Sequence, residues 1–285
     1  MIRALYYPVM VFGAVAAWLV ASRHVSADQL PLLNLAISAV VIPLVILSER
    51  LLPFHRDWLR GRGDFVADVV ASLVVLPVIV ALAEALDRAA LPTLELLPTD
   101  SHVVVEVVVA LVLAEFMHFW VHRLAHHWAP MWRLHAVHHG APRVYWGNAG
   151  RFHPLDLAVI FPLYFAPVVL LGISPQAFSL FMVMNAVTGI LEHANVDFRA
   201  GPLNYLFNSA ELHRFHHAND VVTSRHNYGK VLCIWDLVFG THKVAPGGFA
   251  GELGAGQPVP VTFFAQLAHP FVARAPDPKP PQETA

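Results

Sequence analysis

Charge is what this sequence has least of: Asp, Glu, Lys and Arg make up 13% of its 285 residues, against 56% hydrophobic. Soluble domains carry about a quarter charged residues, so this composition excludes an ordinary water-soluble globule and points to the bilayer. Lysine is nearly missing, with three residues beside 15 arginines, a usage that, with abundant Ala, Val and Leu, points to a GC-rich bacterial genome. The formal net charge of −2 leaves no basic surface on which nucleic acid releases counterions, so no nucleic-acid partner is expected. Cysteine is reduced to Cys233, which excludes an internal disulfide and reads as a small core residue. No glycine-rich dinucleotide motif, flavin site or haem-binding segment is present. The C-terminal residues carry no lysine-type retrieval signal for the endoplasmic reticulum, and a bacterial inner membrane is the expected location.

What is there begins with six apolar stretches, at about Ala4–Ser22, Leu30–Leu47, Phe65–Leu82, Val103–Val121, Leu157–Ile173 and Ala177–Leu191. The first four approach the roughly 20 residues that cross a bilayer as a helix. The last two are shorter and meet at Gly172, Ser174 and Pro175, which predicts a tight hairpin that returns the chain to the side it left. The first stretch lacks a small-residue cleavage site and is closely followed by a second, so it reads as a membrane helix rather than a signal peptide. Arg50, Arg56, Arg60 and Arg62 crowd the connection between the second and third helices and place it in the cytoplasm, and the N-terminus with it. Only Arg23 and Arg88 of the basic residues then face outward, and the polar segments around His122–Asp156 and after Glu192 emerge together on the inside. The Pro-rich and polar residues Arg274–Ala285 read as a disordered tail.

Histidine is the one polar residue in excess, and 14 of 18 lie between His118 and His242. His118, His122 and His126 are four apart and share a helix face; His135, His138 and His139, and again His213, His216 and His217, fall at i, i+3, i+4. His193 follows the sixth apolar stretch. Isolated histidines at membrane ends, as at His24, His55, His102 and His269, read as interfacial or hydrogen-bonded residues and stay outside the site. Two His-x2-His-His clusters and a His-x3-His pair are another matter, because so many imidazoles beside hydrocarbon leave buried ring nitrogens without partners unless a metal takes them. Neutral imidazole suits Fe, Zn, Cu or Ni, and eight to ten ligands exceed one four-coordinate ion, so two metals are expected. The paired Glu-x-x-His segments of carboxylate-bridged helical bundles are absent. Glu115, Glu192, Glu211 and Asp236 lie close in sequence to the histidines and are expected to orient imidazole N–H groups rather than to bind metal.

At these residues the sequence resembles the fatty acid hydroxylase superfamily, which includes sterol desaturases, C4-methylsterol oxidases and lipid hydroxylases. The resemblance rests on His118-Phe-Trp-Val-His122-Arg-Leu-Ala-His126, Leu134-His135-Ala-Val-His138-His139 and Leu212-His213-Arg-Phe-His216-His217. It extends to Arg151-Phe-His153-Pro154, His193-Ala-Asn195, Asn227-Tyr228-Gly229 and Trp235-Asp236-Leu-Val-Phe239-Gly240-Thr241, covering about Glu106 to Phe271. It implies an all-α integral membrane helical bundle with a cytoplasmic histidine-rich helical cap that holds a di-metal centre. Residues 1–86 would be N-terminal transmembrane helices, 87–272 the catalytic domain and 273–285 the tail. The implied metal ligands are His118, His122, His126, His135, His138, His139, His193, His213, His216 and His217. Some members carry a further His where this chain has Gly189, with Asn195 or water as substitutes. Glu115, His153, Asn195, Glu211, Asn227 and Asp236 are the implied supports of the ligands, and hydrogen-bonding roles are expected for His127, His226 and His242.

The activity implied is hydroxylation or desaturation of an unactivated C–H position in a sterol, fatty acyl lipid or carotenoid, with two iron ions, O2 and two external electrons. Zinc can replace iron in purified protein. A ferredoxin, or a cytochrome with its reductase, would supply the electrons, and Arg143, Arg151, Arg214 and Arg225 would either draw an acidic donor to the cytoplasmic face or serve as ordinary inside-positive anchors. The alternatives are a metal-dependent membrane hydrolase or lyase on the same cage, and a histidine-rich metal transporter.

Overall fold

The computed structural model of the chain describes residues 1–88, 93–94, 96–98, 101–245 and 248–272. The tail expected to be disordered lies outside these residues. Among the described residues the chain is helical, with three isolated bridges and no strand. The all-α expectation is met.

Local sequence sets the helix ends. Helix α1 spans Ile2–Ala21 and α2 Leu30–Leu51. Helix α3 spans Phe65–Arg88, and α4, Val103–His127, begins where the His102 ring accepts a hydrogen bond from Val104 N–H. A break at Trp128 starts the short α5, Ala129–His139, with Pro130 in its first turn. Helix α6, Pro154–Leu171, is capped by the His153 ring, with Pro154 supplying a preset φ where no donor is needed. It stops at Gly172, whose φ of +63° suits a residue without Cβ. Ser174 then caps α7, Pro175–Glu192, and Ser209 caps α8, Ala210–His216. Two short helices follow, α9 at Ile234–Val238 and α10 at Phe263–Val272. The hairpin at Gly172, Ser174 and Pro175 is thus as expected.

Among the described residues four helical segments are long and apolar enough to cross a membrane: Ile2–His24, Ala27–Leu51, Val103–His127 and Pro154–Leu171. The six apolar stretches resolve into these four, a shorter described apolar run at Phe65–Val75, and α7, where Gln176, Asn185 and Glu192 dilute the apolar sequence. Large apolar side chains such as Val9, Leu32, Leu35 and Leu47 lie more than half exposed on α1 and α2, as lipid-facing residues do. The opposite faces pack inward: α4 lies against α6 and α7, α1 and α2 against α7, and α3 against α6. Tyr7, Val11 and Trp18 of α1 and Val41 and Val45 of α2 join Phe181, Val187 and Leu191 of α7 in one apolar core.

The connection between α2 and α3 folds back onto the segment after α7. Phe54 N–H donates to Asn195 C=O at 3.1 Å, Asp197 N–H to Leu52 C=O at 2.8 Å, and Pro53 bridges Val196. The arginine-rich connection and the histidine end of the bundle therefore lie on one side. Two buried ion pairs fasten the same end. Arg143 grips Asp64 through Nε and Nη2 at 2.7 and 2.8 Å, while Arg151 Nε meets Asp68 at 2.5 Å, with Tyr145 O–H donating to the other Asp68 oxygen.

Candidate metal centre

The three histidine segments converge. Helix α4 ends beside α5 and α8, and the turn after α7 meets them from the other side. The structure collects nine imidazoles into two groups whose candidate ligand atoms lie within 4.8 Å of one another: His122, His126, His135, His139 and His216 in one, and His138, His193, His213 and His217 in the other. All nine are buried.

Helical spacing explains the division. In each His-x2-His-His cluster the i and i+4 residues share a face, while the i+3 residue leans to the neighbouring side. His135 and His139 therefore enter the group of five and His138 crosses to the group of four; His213 and His217 enter the group of four and His216 crosses to the five. The two clusters interleave, and the His139 and His217 rings stack with centroids 4.3 Å apart.

The proton positions decide what these nitrogens can do. His122 Nδ1 lies 2.8 Å from Tyr228 C=O, His135 Nδ1 2.9 Å from Asp156, and His216 Nδ1 2.7 Å from His226 C=O. Those oxygens only accept, so each Nδ1 carries the proton and each neutral ring turns a bare lone pair outward at Nε2. His135 and His216 Nε2 nevertheless stand 2.9 and 3.0 Å from His122 Nε2. Three lone pairs at that spacing repel one another unless a cation lies among them. Two nitrogens at right angles, each about 2.1 Å from a metal, are separated by about 3.0 Å. The group of four repeats the pattern: His138 Nδ1 meets Arg151 C=O, His193 Nδ1 meets Gly189 C=O, and His213 Nε2 is 3.2 Å from His193 Nε2 and 3.0 Å from His217 Nε2.

Other observations fit a metal in the same places. His126 Nε2 and both ring nitrogens of His139 are buried without a hydrogen-bond partner. Burial depresses His138, His139, His213 and His217 well below the ordinary imidazole range, and brings His216 to about 3 and His193 to about 4. These rings are neutral at pH 7, the form that binds metal. The residues present fit two cations held wholly by imidazole.

His118 stands apart. It is buried, its ring centroid is 5.1 Å from that of His122, and it belongs to neither group. His118-x3-His122 and His122-x3-His126 have the same spacing, so periodicity alone does not say which pair is used.

The supports also differ from the expected ones. Among the described residues none of Glu115, His153, Asn195, Glu211, Asn227 and Asp236 bonds an imidazole of either group. Glu115 accepts from Lys230 and Val231 N–H, Glu211 from Ala200 N–H and Asn204, and His153 caps α6. Asn195 is taken up by the His55 backbone, so it does not stand in for a ligand at Gly189. Asn227, at φ +57°, and Asp236 act one step further out: they fasten the 226–229 turn, whose carbonyls at His226 and Tyr228 hold His216 and His122. The carboxylate that does orient an imidazole is Asp156, in the first turn of α6 and one turn after the His153-Pro154 motif. Of the secondary histidines, His127 meets Tyr228 O–H, His226 meets Thr223 C=O and His242 meets Asn204 C=O, as expected of hydrogen-bonding residues.

Beside the centre lies a cavity of about 360 Å³. His122, His135, His138, His193 and His213 form one part of its wall, so both groups face it, as does His118. Phe152, Leu157, Ile160, Phe161 and Ile190 supply apolar parts of the rest.

Four helices able to cross a membrane and a buried, doubly clustered polyhistidine centre beside a cavity define a helical membrane protein able to bind metal. The chain belongs to the fatty acid hydroxylase family, whose model matches residues 107–241, and it is an oxidoreductase. It is 34% identical, over 81% of its length and 73% of the relative's, to the ornithine lipid hydroxylase OlsE of Rhizobium tropici. It is 28% identical to the alkylglycerol monooxygenase of Homo sapiens, over 52% of this chain and 34% of that one. With methylsterol monooxygenase 1 of Rattus norvegicus the identity is 30%, over 46% and 44%. No solved structure matches the chain.

Proposed function

We propose that the chain is a membrane-bound di-iron oxygenase that hydroxylates or desaturates an unactivated C–H position of a lipid-like substrate. The observation that carries this reading is the set of outward-facing Nε2 lone pairs, nine imidazoles in two groups, against an apolar cavity. Iron held by His122, His126, His135, His139 and His216, and by His138, His193, His213 and His217, would supply reductive use of O2 and removal of hydrogen from carbon. The chain's own contribution is to hold those ions with neutral ligands, to exclude water, and to lay a hydrocarbon segment along Leu157, Ile160 and Phe161 beside them. The relatives that act on ornithine lipid, alkylglycerol and methylsterol support a lipid-like substrate.

The two electrons come from a separate donor, a ferredoxin or a cytochrome with its reductase. Arg143, Arg151 and Arg214 are buried and do not serve as its docking surface: the first two are paired with Asp64 and Asp68, and the third lies over Phe54. Arg50, Arg56, Arg60 and Arg62 remain exposed at the histidine end of the bundle. We place that end in the cytoplasm of a bacterial inner membrane.

The test is metal content and Mössbauer spectroscopy of the purified, iron-57-loaded chain, followed by lipid screening under labelled O2. Two coupled irons per chain and labelled product support the proposal. Product formed equally without O2 would move the assignment to a metal-dependent hydrolase or lyase, and failure to retain metal under any loading would overturn it.

A further inference from the structure

A helix on the surface of a water-soluble domain turns its apolar face inward. Helix α10 does the reverse. Its buried residues are Gln266, His269 and Pro270, while Phe264, Ala268 and Phe271 recur at i, i+4 and i+7 on the outside, with Val261 one turn before them. Phe264 is 81% exposed, Phe271 68% and Val272 77%. No Asp, Glu, Lys or Arg interrupts the sequence from Val261 to Val272. Ten helical residues rise only about 15 Å, half the thickness of the hydrocarbon layer, so α10 does not cross it.

The neighbours of this stripe say what covers it. On α6, which is long and apolar enough to cross a membrane, Leu155, Val159 and Leu163 are exposed at i, i+4 and i+8 as a lipid-facing row. The two stripes meet at His153. Its Nδ1 accepts from Leu155 N–H at 3.1 Å, its Nε2 donates to Leu267 C=O at 3.2 Å, and its ring centroid lies 6.2 Å from that of Phe271. Helix α10 also packs against α3, whose first residues Phe65 and Val66 are exposed as well. A docking patch for a soluble protein carries a polar rim, whereas this one runs into the lipid-facing row of α6.

We propose that α10 lies in the plane of the membrane at the histidine end of the bundle, with Phe264, Ala268 and Phe271 in the boundary between headgroups and acyl chains and Gln266 and His269 turned towards the protein. The partner is therefore the lipid surface itself. Through His153 the helix holds the first turn of α6, from which Asp156 orients His135, so the level of the bilayer surface is tied to the metal centre.

The experiment uses the full chain as purified, reconstituted into phosphatidylcholine vesicles. A nitroxide is attached at Phe264→Cys, Ala268→Cys and Phe271→Cys in turn, the unaltered chain giving the background from buried Cys233, and collisions with O2 and with a water-soluble nickel chelate are compared. The expected result is that O2 reaches all three labels and the chelate does not, at a depth of about 5–10 Å below the phosphates, while a label at exposed Arg60→Cys shows the reverse. Free access of the chelate would put the helix in water and overturn the inference. Exclusion of both reagents would overturn it in favour of a protein cover, a second copy or another segment of the chain. A second measurement needs no variant: the unaltered chain is photolysed in vesicles containing a phospholipid with a diazirine near the ester end of one acyl chain. Adducts on the peptide Val261–Val272 are expected, and their absence while Leu155–Leu163 is labelled would sink the proposal.

Discussion

An imidazole has two ring nitrogens, and at this site the fate of one fixes the use of the other. Backbone carbonyls and Asp156 hold Nδ1 protons on His122, His135, His138, His193 and His216, which leaves Nε2 to face its neighbours. His118 lacks such a partner at Nδ1 and sits outside both groups. Alanine at His138 or His216 should therefore abolish metal retention in one group and with it turnover, while the protein still inserts. His118→Ala should keep close to full metal content, and metal analysis of the three variants side by side is the check; equal loss in all three would restore His118 as a ligand. Asp156→Asn removes the carboxylate behind His135 and should lower metal affinity about 10–100-fold. Proton competition gives a further test. His193 and His216 titrate near 4 and 3 in the fold against an ordinary 6.5, both depressed by burial. Between those values the unfolded chain holds more protons than the folded one, so stability falls as pH drops from about 6.5 towards 4, by about 1.4 kcal/mol per unit for each such histidine. Thermal melts of the metal-free chain should show a plateau above pH 7 and a decline below it, and a melt independent of pH from 7 to 5 would contradict buried neutral rings.

Elements show how much of the site the sequence carries. The i, i+3, i+4 spacing of His135, His138 and His139 and of His213, His216 and His217 is enough to predict convergence, because helical geometry fixes which rings share a face. Spacing does not reveal that the i+3 member of each cluster serves the other group, since this depends on how α5 and α8 cross. The supports were illegible for another reason: backbone carbonyls have no residue-type signature, and those of His226 and Tyr228 point inward only because the turn is fixed by Asn227 and Asp236. Gly229 belongs to that device, for a Cβ there would fall 2.2 Å from Leu232 C=O. Arg143 and Arg151 misled in the same manner, as charge counting does not disclose partners at Asp64 and Asp68, some 80 residues away. The turn can be tested as a unit. Asn227→Val replaces a residue tolerant of positive φ by a β-branched one and removes bonds to Leu212 and Lys243 C=O. It should lower metal occupancy at the five-histidine group more than at the four, read as loss of one component in the Mössbauer spectrum, and an even loss from both would show that the turn does not act through His122 and His216.

At the scale of the molecule, two independent lines meet on one topology. Arginine crowding is the ground on which the α2–α3 connection is expected in the cytoplasm, and the fold pins that connection to the segment after α7 through Phe54, Asn195 and Asp197. The histidine centre therefore shares the compartment of Arg50, Arg56, Arg60 and Arg62, whichever side that is. The electron donor proposed for this centre would have to reach the same side, so orientation bears directly on function. The single native cysteine makes it measurable. Cys233 is buried and its thiol is pushed up to about 12, chiefly by burial, so the native chain should react little with a membrane-impermeant maleimide. Arg60→Cys and Asp28→Cys introduce thiols at exposed positions at opposite ends of α2. Labelling of Arg60→Cys in inside-out vesicles and of Asp28→Cys in right-side-out ones is the expected pattern. The reverse pattern would put the metal centre outside the cytoplasm, and a donor would then have to be sought among extracytoplasmic redox proteins.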